Sequence, residues 1–151
     1  MTGSGTVPTL PRDGPLLAID IGERRIGLAL SDPDQRLAHP LATLERRAGQ
    51  RFPMQRLRHH LDAAQPVGIV VGLPLTPEGR EDAAALEARD VGTLITTKTG
   101  LPVEYVDERF TSARAHGAIR ELGGKTRGRK GEVDRLAATV LLQHYLDRVS
   151  G

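Results

Sequence analysis

The spacing of hydrophobic residues changes period along the chain, and each change marks an element. Leu16-Leu17-Ala18-Ile19-Asp20-Ile21 is an apolar run bounded by Gly22. It is too short for a helix and has the character of a buried strand. Arg25 to Ser31 (RIGLALS) predicts a second strand, close enough to form a hairpin with the first. Leu37 to Leu44 predicts a third, and Pro40 within it points to an edge position, because proline has no N–H to give an inner ladder. Helical spacing then takes over. Pro53 suits a helix first turn, and Met54, Leu57, Leu61 and Ala64 recur on one face. Val67 to Val71 (VGIVV) is a continuous apolar run, as in a parallel strand covered on both sides. Arg80 to Thr97 predicts an Ala-rich helix with Ala84, Ala88, Val91 and Ile95 inward, followed by a strand over Val103 to Val106. Thr111 or Ser112 can cap a helix carrying Ala115, Ala118, Ile119 and Leu122, stopped by Gly123-Gly124. Glu132 to Val149 predicts the last helix, with Val133, Leu136, Ala137, Val140 and Leu141 toward the core.

The order is βββαβαβαα. Three meander strands followed by right-handed crossovers give an α/β fold, a five-stranded mixed sheet with helices on both faces. The 151 residues fit one domain, here residues 16–151. Met1 to Pro15 is rich in Gly, Thr and Pro and is expected to be a flexible N-terminal tail.

Composition narrows the chemistry. Aromatics are 3% of the chain, so the core must be built from Leu, Ile, Val and Ala, and stacking platforms for single strands are scarce. The absence of Cys excludes disulfides and thiolate metal sites. No apolar run approaches the roughly 18 residues of a membrane helix, and no basic-then-apolar leader opens the chain. A cytoplasmic protein without a membrane partner is expected. The net charge is only +2, so local charge matters more. Leu44 to His60 holds Arg46, Arg47, Arg51, Arg56 and Arg58 against Glu45, and Gly123 to Gly131 holds Lys125, Arg127, Arg129 and Lys130 against no acid. Such clusters suit a phosphate backbone, although each is equally compatible with a solvated face. His59-His60 lies on the basic helix without ligand partners in view and is expected to be solvated.

In open α/β sheets, sites form beyond the carboxyl ends of parallel strands. The first strand ends in Asp20-Ile21-Gly22, the fourth in Gly72-Leu73-Pro74 and the fifth in Asp107-Glu108-Arg109, while Asp134 falls in the first turn of the final helix. Asp20, Asp107 or Glu108, and Asp134 can therefore converge. Hard cations such as Mg²⁺ or Mn²⁺ take oxygen ligands of this kind, and a pair of ions about 3.5–4 Å apart stabilises the attacking and leaving oxygens of a phosphodiester. Each acid also has an ordinary structural explanation: turn former, surface ion pair, helix-dipole partner. Their joint placement carries more weight than any one of them.

The segments AIDIGERRIGLAL, VGIVVGLPLTPEGR, VDERFTSARA and KGEVDRLAATVLLQHYL resemble, in this order, the YqgF (RuvX) family of Holliday junction resolvases and pre-ribosomal RNA nucleases. The resemblance covers roughly Leu16 to Leu146. It implies a ribonuclease H-like fold with sheet order 3-2-1-4-5 and catalytic, metal-holding acids at Asp20, Glu108 and Asp134. The activity implied is a metal-dependent endonuclease acting on branched DNA or structured pre-ribosomal RNA, with Mg²⁺ or Mn²⁺, in two ions, as cofactor. Arg109, Lys125, Arg127, Arg129 and Lys130 are the candidates to bind the nucleic acid, and a symmetric four-way junction would call for a homodimer.

Two departures stand out. Family members often have a small residue where this chain has Glu23. Better-known resolvases of this fold carry an acid at the end of the fourth strand, where this chain has Gly72-Leu73-Pro74. The second acid must then come from the fifth strand, about 10 Å from the first. Glu reaches further than Asp, which favours Glu108 over Asp107. Two other readings stay open: a non-catalytic nucleic-acid-binding or ribosome-associated factor, and an ATP-binding phosphotransferase of the actin-like fold, since DIGERRIG resembles its phosphate loop.

Overall fold

The computed structural model describes residues 10–46, 51–109 and 130–150, with side chains of the last segment described from residue 135. Among the described residues, five strands and three helices follow one another: β1 (Leu16–Ile21), β2 (Arg25–Ser31), β3 (Ala38–Glu45), α1 (Met54–Ala64), β4 (Gly68–Leu73), α2 (Ala83–Thr99), β5 (Val103–Asp107) and α3 (Lys130–Ser150). The helix expected between Thr111 and Leu122 lies outside the described residues.

The sheet order is β3-β2-β1-β4-β5. β1 pairs antiparallel with β2 and parallel with β4, and β4 pairs parallel with β5. This is the expected mixed sheet. β4 is buried along its whole length, which is why its sequence shows no alternation. β3 is an edge strand, as Pro40 suggested, and its register to β2 slips between Leu28 and Ala29 so that Ala29 faces Pro40. The proline sits at the irregularity, where its missing N–H costs the ladder least.

The pleat divides the core. Leu17, Ile19, Ile69 and Val71 meet Leu57 and Leu61 of α1 and Ala88, Val91 and Ile95 of α2. On the other face Leu16, Ala18, Val70 and Val106 meet Ala138, Leu141, Leu142, Tyr145 and Leu146 of α3. Each large side chain so covered contributes about 1.5–3 kcal/mol. Ala88, Val91 and Ile95 of α2 and Leu141 of α3 are buried as expected, and the stripes depart from expectation at the other described positions. In α2, Ala85 is buried and Ala84 exposed; the helix starts later than Arg80, after Asp82, whose side chain accepts from the Ala84 N–H. In α3, Leu136, Ala137 and Val140 are only half-buried, since the helix rests on the sheet through the 138/141/142/145 stripe.

The expectation of a flexible tail through Pro15 needs correction from residue 10 onward. Leu10 is 3% exposed and packs in the α3-side core. Gln35, held at φ 56°, donates from Nε2 to the carbonyls of Pro11 and Gly14, and the Val67 N–H donates to Pro15. A buried leucine and satisfied backbone groups outweigh the local flexibility that Gly and Pro suggest.

Candidate active site

Alternation along β1 puts Leu16 and Ala18 on the α3 side of the sheet, and therefore Asp20 as well. The same logic runs through β4, where Val70 faces α3, and so does Gly72. In β5 the faces part. Val106 belongs to the α3 side, so Glu108 follows it, while Asp107 falls on the opposite side with Val103 and Tyr105. The two adjacent carboxylates of the Asp107-Glu108 pair thus have different surroundings.

Asp107 is held by Arg109. Arg109 Nε and Nη2 lie 3.0 and 2.7 Å from Asp107 Oδ2, and the Arg109 N–H donates to Oδ1 at 2.9 Å. The guanidinium keeps the Asp107 carboxyl below the usual range. Arg109 also donates to the Pro77 carbonyl in the loop after β4. That loop is closed by Thr76 and Arg80, with Gly79 at φ 85°.

Glu108 takes the other direction. Its N–H donates to the Leu73 carbonyl at 3.1 Å, extending the β4–β5 ladder by one rung. Its side chain lies over Gly72, where a Cβ would stand 2.9 Å from Cδ and 3.0 Å from Cγ, and it hydrogen-bonds Asp20. Two carboxyls from strands two spacings apart, about 10 Å, therefore meet over the strand between them. Burial, then the bond to Asp20 and the charges of Asp20 and Asp107, push the Glu108 carboxyl up to about 10. Burial and neighbouring negative charge both disfavour the ionised form of a carboxyl.

The turn below Asp20 is tightly built. The Gly22 N–H donates to the Arg25 carbonyl at 2.9 Å, and a Cβ at Gly22 would fall 2.5 Å from that oxygen. The amide that a phosphate loop would offer a nucleotide is used within the turn. Arg46 clamps the turn from outside: it donates to the Gly22 carbonyl from Nε and Nη2 and makes two bonds to Glu87 of α2, at 2.7 and 2.9 Å. Arg46 came from the sequence as part of a basic cluster for phosphate. Its side chain is 6% exposed, so it is a structural cation instead. The sequence gives no local signal of this, because Glu87 is 41 residues away. Glu23 is exposed.

Asp20 and Glu108 are brought together; Asp107 is not with them. Asp134 belongs to the first turns of α3, which packs against the sheet face that carries Asp20, but its side chain lies outside those described, as does that of Lys130. Lys125, Arg127 and Arg129 lie outside the described residues altogether. Among the described residues no group of three acidic or histidine side chains is gathered, so the described site consists of two carboxyls. Among the described residues no helix is long and apolar enough to cross a membrane.

The sheet order and its crossovers define the class of fold, ribonuclease H-like. The model of the RuvX family, described as Holliday junction resolvase, matches residues 14–148, and the chain belongs to that family. Its members are nucleases, hydrolases acting on nucleic acid. Relatives named "Putative pre-16S rRNA nuclease" include one from Cutibacterium acnes, 40% identical over 90% of this chain and 84% of its own length. Another, from Cupriavidus taiwanensis, is 40% identical over 92% of each chain. Among solved structures, Thermus thermophilus RuvC in complex with a Holliday junction substrate superposes with a TM-score of 0.54, at 18% identity, covering 91% of this chain and 96% of that one. RuvC of the same species without such a description gives 0.52. At that identity the likeness concerns the fold.

Proposed function

We propose that the protein is a metal-dependent endonuclease in which Asp20, Glu108 and Asp134 hold Mg²⁺ or Mn²⁺, as a pair of ions, against a scissile phosphodiester. The observation that carries the reading is the meeting of Glu108 with Asp20 across Gly72. The donors fit the ion: carboxylate oxygens suit hard cations, and a Glu108 carboxyl that resists ionisation beside Asp20 marks a place where positive charge is wanted. When bound, the metal supplies a nucleophile at neutral pH and stabilises charge on the phosphate oxygens.

The chain's own residues do the rest. Asp20 is fixed by its pairing with Gly27 of β2 and by following Ile19, the partner of Val71, Glu108 by its rung to Leu73, and the Gly22 turn by Arg46. Such fixed carboxylates hold their geometry without reorganising during reaction. Asp134, in the first turns of α3, is assigned as the third carboxylate. Lys125, Arg127, Arg129 and Lys130 precede or open that helix in sequence and are assigned to the phosphate backbone, whereas Arg109, paired with Asp107 on the opposite side, is assigned to orienting the loop after β4. Structured RNA of the pre-16S type is taken as substrate, with a four-way DNA junction as the competing one; the relatives' names support the first, the family description the second.

The test is purified protein with Mn²⁺ on structured precursor RNA, four-way junction and plain duplex, beside Asp20→Asn and Asp134→Asn. Cleavage of a branched or structured substrate by the parent, lost at least a hundredfold in both variants with binding intact, is the expected result. Undiminished cleavage by either variant would remove that acid from the mechanism.

A further inference from the structure

Glycine inside a strand costs entropy and contributes no packing, so Gly72 in fully buried β4 requires a reason. Backbone conformation does not supply one, because Gly72 is absent from the residues with positive φ. The contacts do. A Cβ at Gly72 would meet Glu108 alone among its three nearest atoms: the carboxylate Oε1, then Cδ at 2.9 Å and Cγ at 3.0 Å. By contrast, a Cβ at Gly68 on the same strand face would meet apolar Leu10 and Leu16. The bare patch at 72 is thus filled by one side chain, and that side chain goes on to Asp20.

We infer that Gly72 is a positioning residue: its missing side chain is the channel through which Glu108 of β5 reaches Asp20 of β1. Register supports this. Gly72 pairs with Val106 and follows Val71, the partner of Ile19, so it stands between the two acids. The Glu108 backbone cannot retreat, since its N–H is bonded to Leu73. A methyl at 72 must therefore displace the carboxylate, while the strands stay where their ladders hold them.

This inference rests on the metal-site reading above, and a double-mutant cycle separates the two. Mn²⁺ binding, followed by electron paramagnetic resonance, and urea melts in EDTA are measured for the parent, Gly72→Ala, Glu108→Ala and the double variant. The expected result is an at least tenfold loss of Mn²⁺ affinity in Gly72→Ala, and no further loss when the same change is made in Glu108→Ala. In the melts, Gly72→Ala should destabilise the parent more than it destabilises Glu108→Ala. A methyl that weakens Mn²⁺ binding equally in both backgrounds, or in neither, overturns the assignment. If no variant and no parent binds Mn²⁺, the metal reading fails. The melts alone then decide Gly72, with coupling to residue 108 supporting its role and additivity refuting it. If Gly72→Ala fails to fold, recovery of folding in the double variant supports the channel, and its absence overturns it.

Discussion

Replacing Glu108 by Gln tests the protonated carboxyl pair in the metal-free protein. Gln keeps the length of the side chain over Gly72 and can donate its amide to Asp20, so the shape survives and only the titration is lost. In the folded parent the Glu108 carboxyl is raised from 4.5 to about 10. A carboxyl whose folded value exceeds its unfolded one contributes stability that is complete below the unfolded value and drains away as pH climbs toward the folded one. Between those limits the native state holds one proton that the unfolded chain has released. Stability then falls by about 1.4 kcal/mol per pH unit from this group. Between pH 6 and pH 8 the parent should lose about 2–3 kcal/mol that Glu108→Gln keeps. Urea melts in EDTA at half-unit steps measure this. Titrating groups remote from the site are common to both proteins, so the difference between the two curves isolates the Asp20–Glu108 pair. Parallel curves, or a parent that gains stability relative to the variant as pH rises, would refute the shared-proton account. Added Mn²⁺ should flatten the parent's slope, because a cation between carboxylates replaces the proton.

Asp107→Asn should leave Mn²⁺ affinity within twofold of the parent while costing about 1 kcal/mol of stability through the loss of the Arg109 pair; a tenfold loss of affinity would put Asp107 back in the site. Arg46→Met should cost about 2 kcal/mol in a urea melt, at the low end for breaking a buried pair because Glu87, 42% exposed, rehydrates. Arg46 lowers the Glu87 carboxyl, so this pair stabilises above the unfolded value of 4.5 and is lost as pH falls through the folded one; the gap between parent and variant should narrow by pH 3. Gly22→Ala, with its methyl against the Arg25 carbonyl, should cost about 1–3 kcal/mol and weaken Mn²⁺ binding by loosening the turn after Asp20; an unaffected melt would mean the turn relaxes freely.

The strands and their order were legible because each reports itself locally. The short apolar run of β1 closed by Gly22, the unbroken run of β4 and Pro40 at the edge are properties of a few adjacent residues. The helix faces were less so. Ala84 and Ala85 are indistinguishable by spacing, and the docking of α2 on the sheet, which buries Ala85 in the core, decides which one faces inward. The docking of Leu10 was invisible for a different reason: its partners, Leu16 and the open space over Gly68, are supplied by the assembled sheet. Likewise, nothing near Arg46 distinguishes it from the arginines around it. Its neighbour Arg56 lies exposed and donates to the Glu45 carbonyl, while Arg46 is sealed between a turn and α2.

Of the site, the choice of Glu108 over Asp107 rested in the sequence on reach alone, and the sheet adds a second reason. Adjacent residues in a strand face opposite sides, so only one of a consecutive acidic pair can share a face with Asp20. The other is free to serve structure, and Asp107 does so by fixing Arg109, which in turn holds the loop after β4 through Pro77. One dipeptide thereby ties the loop after β4 on one side of the sheet and brings a carboxyl to Asp20 on the other. The missing acid of the fourth strand belongs to the same arrangement. With a carboxylate at 72, the Glu108 side chain would have no path to Asp20; with glycine there, the path is open and the acid arrives from β5. The glycine in VGLPL and the glutamate in VDERF are therefore two halves of one structural solution, separated by 36 residues of chain and joined by a single β4–β5 ladder.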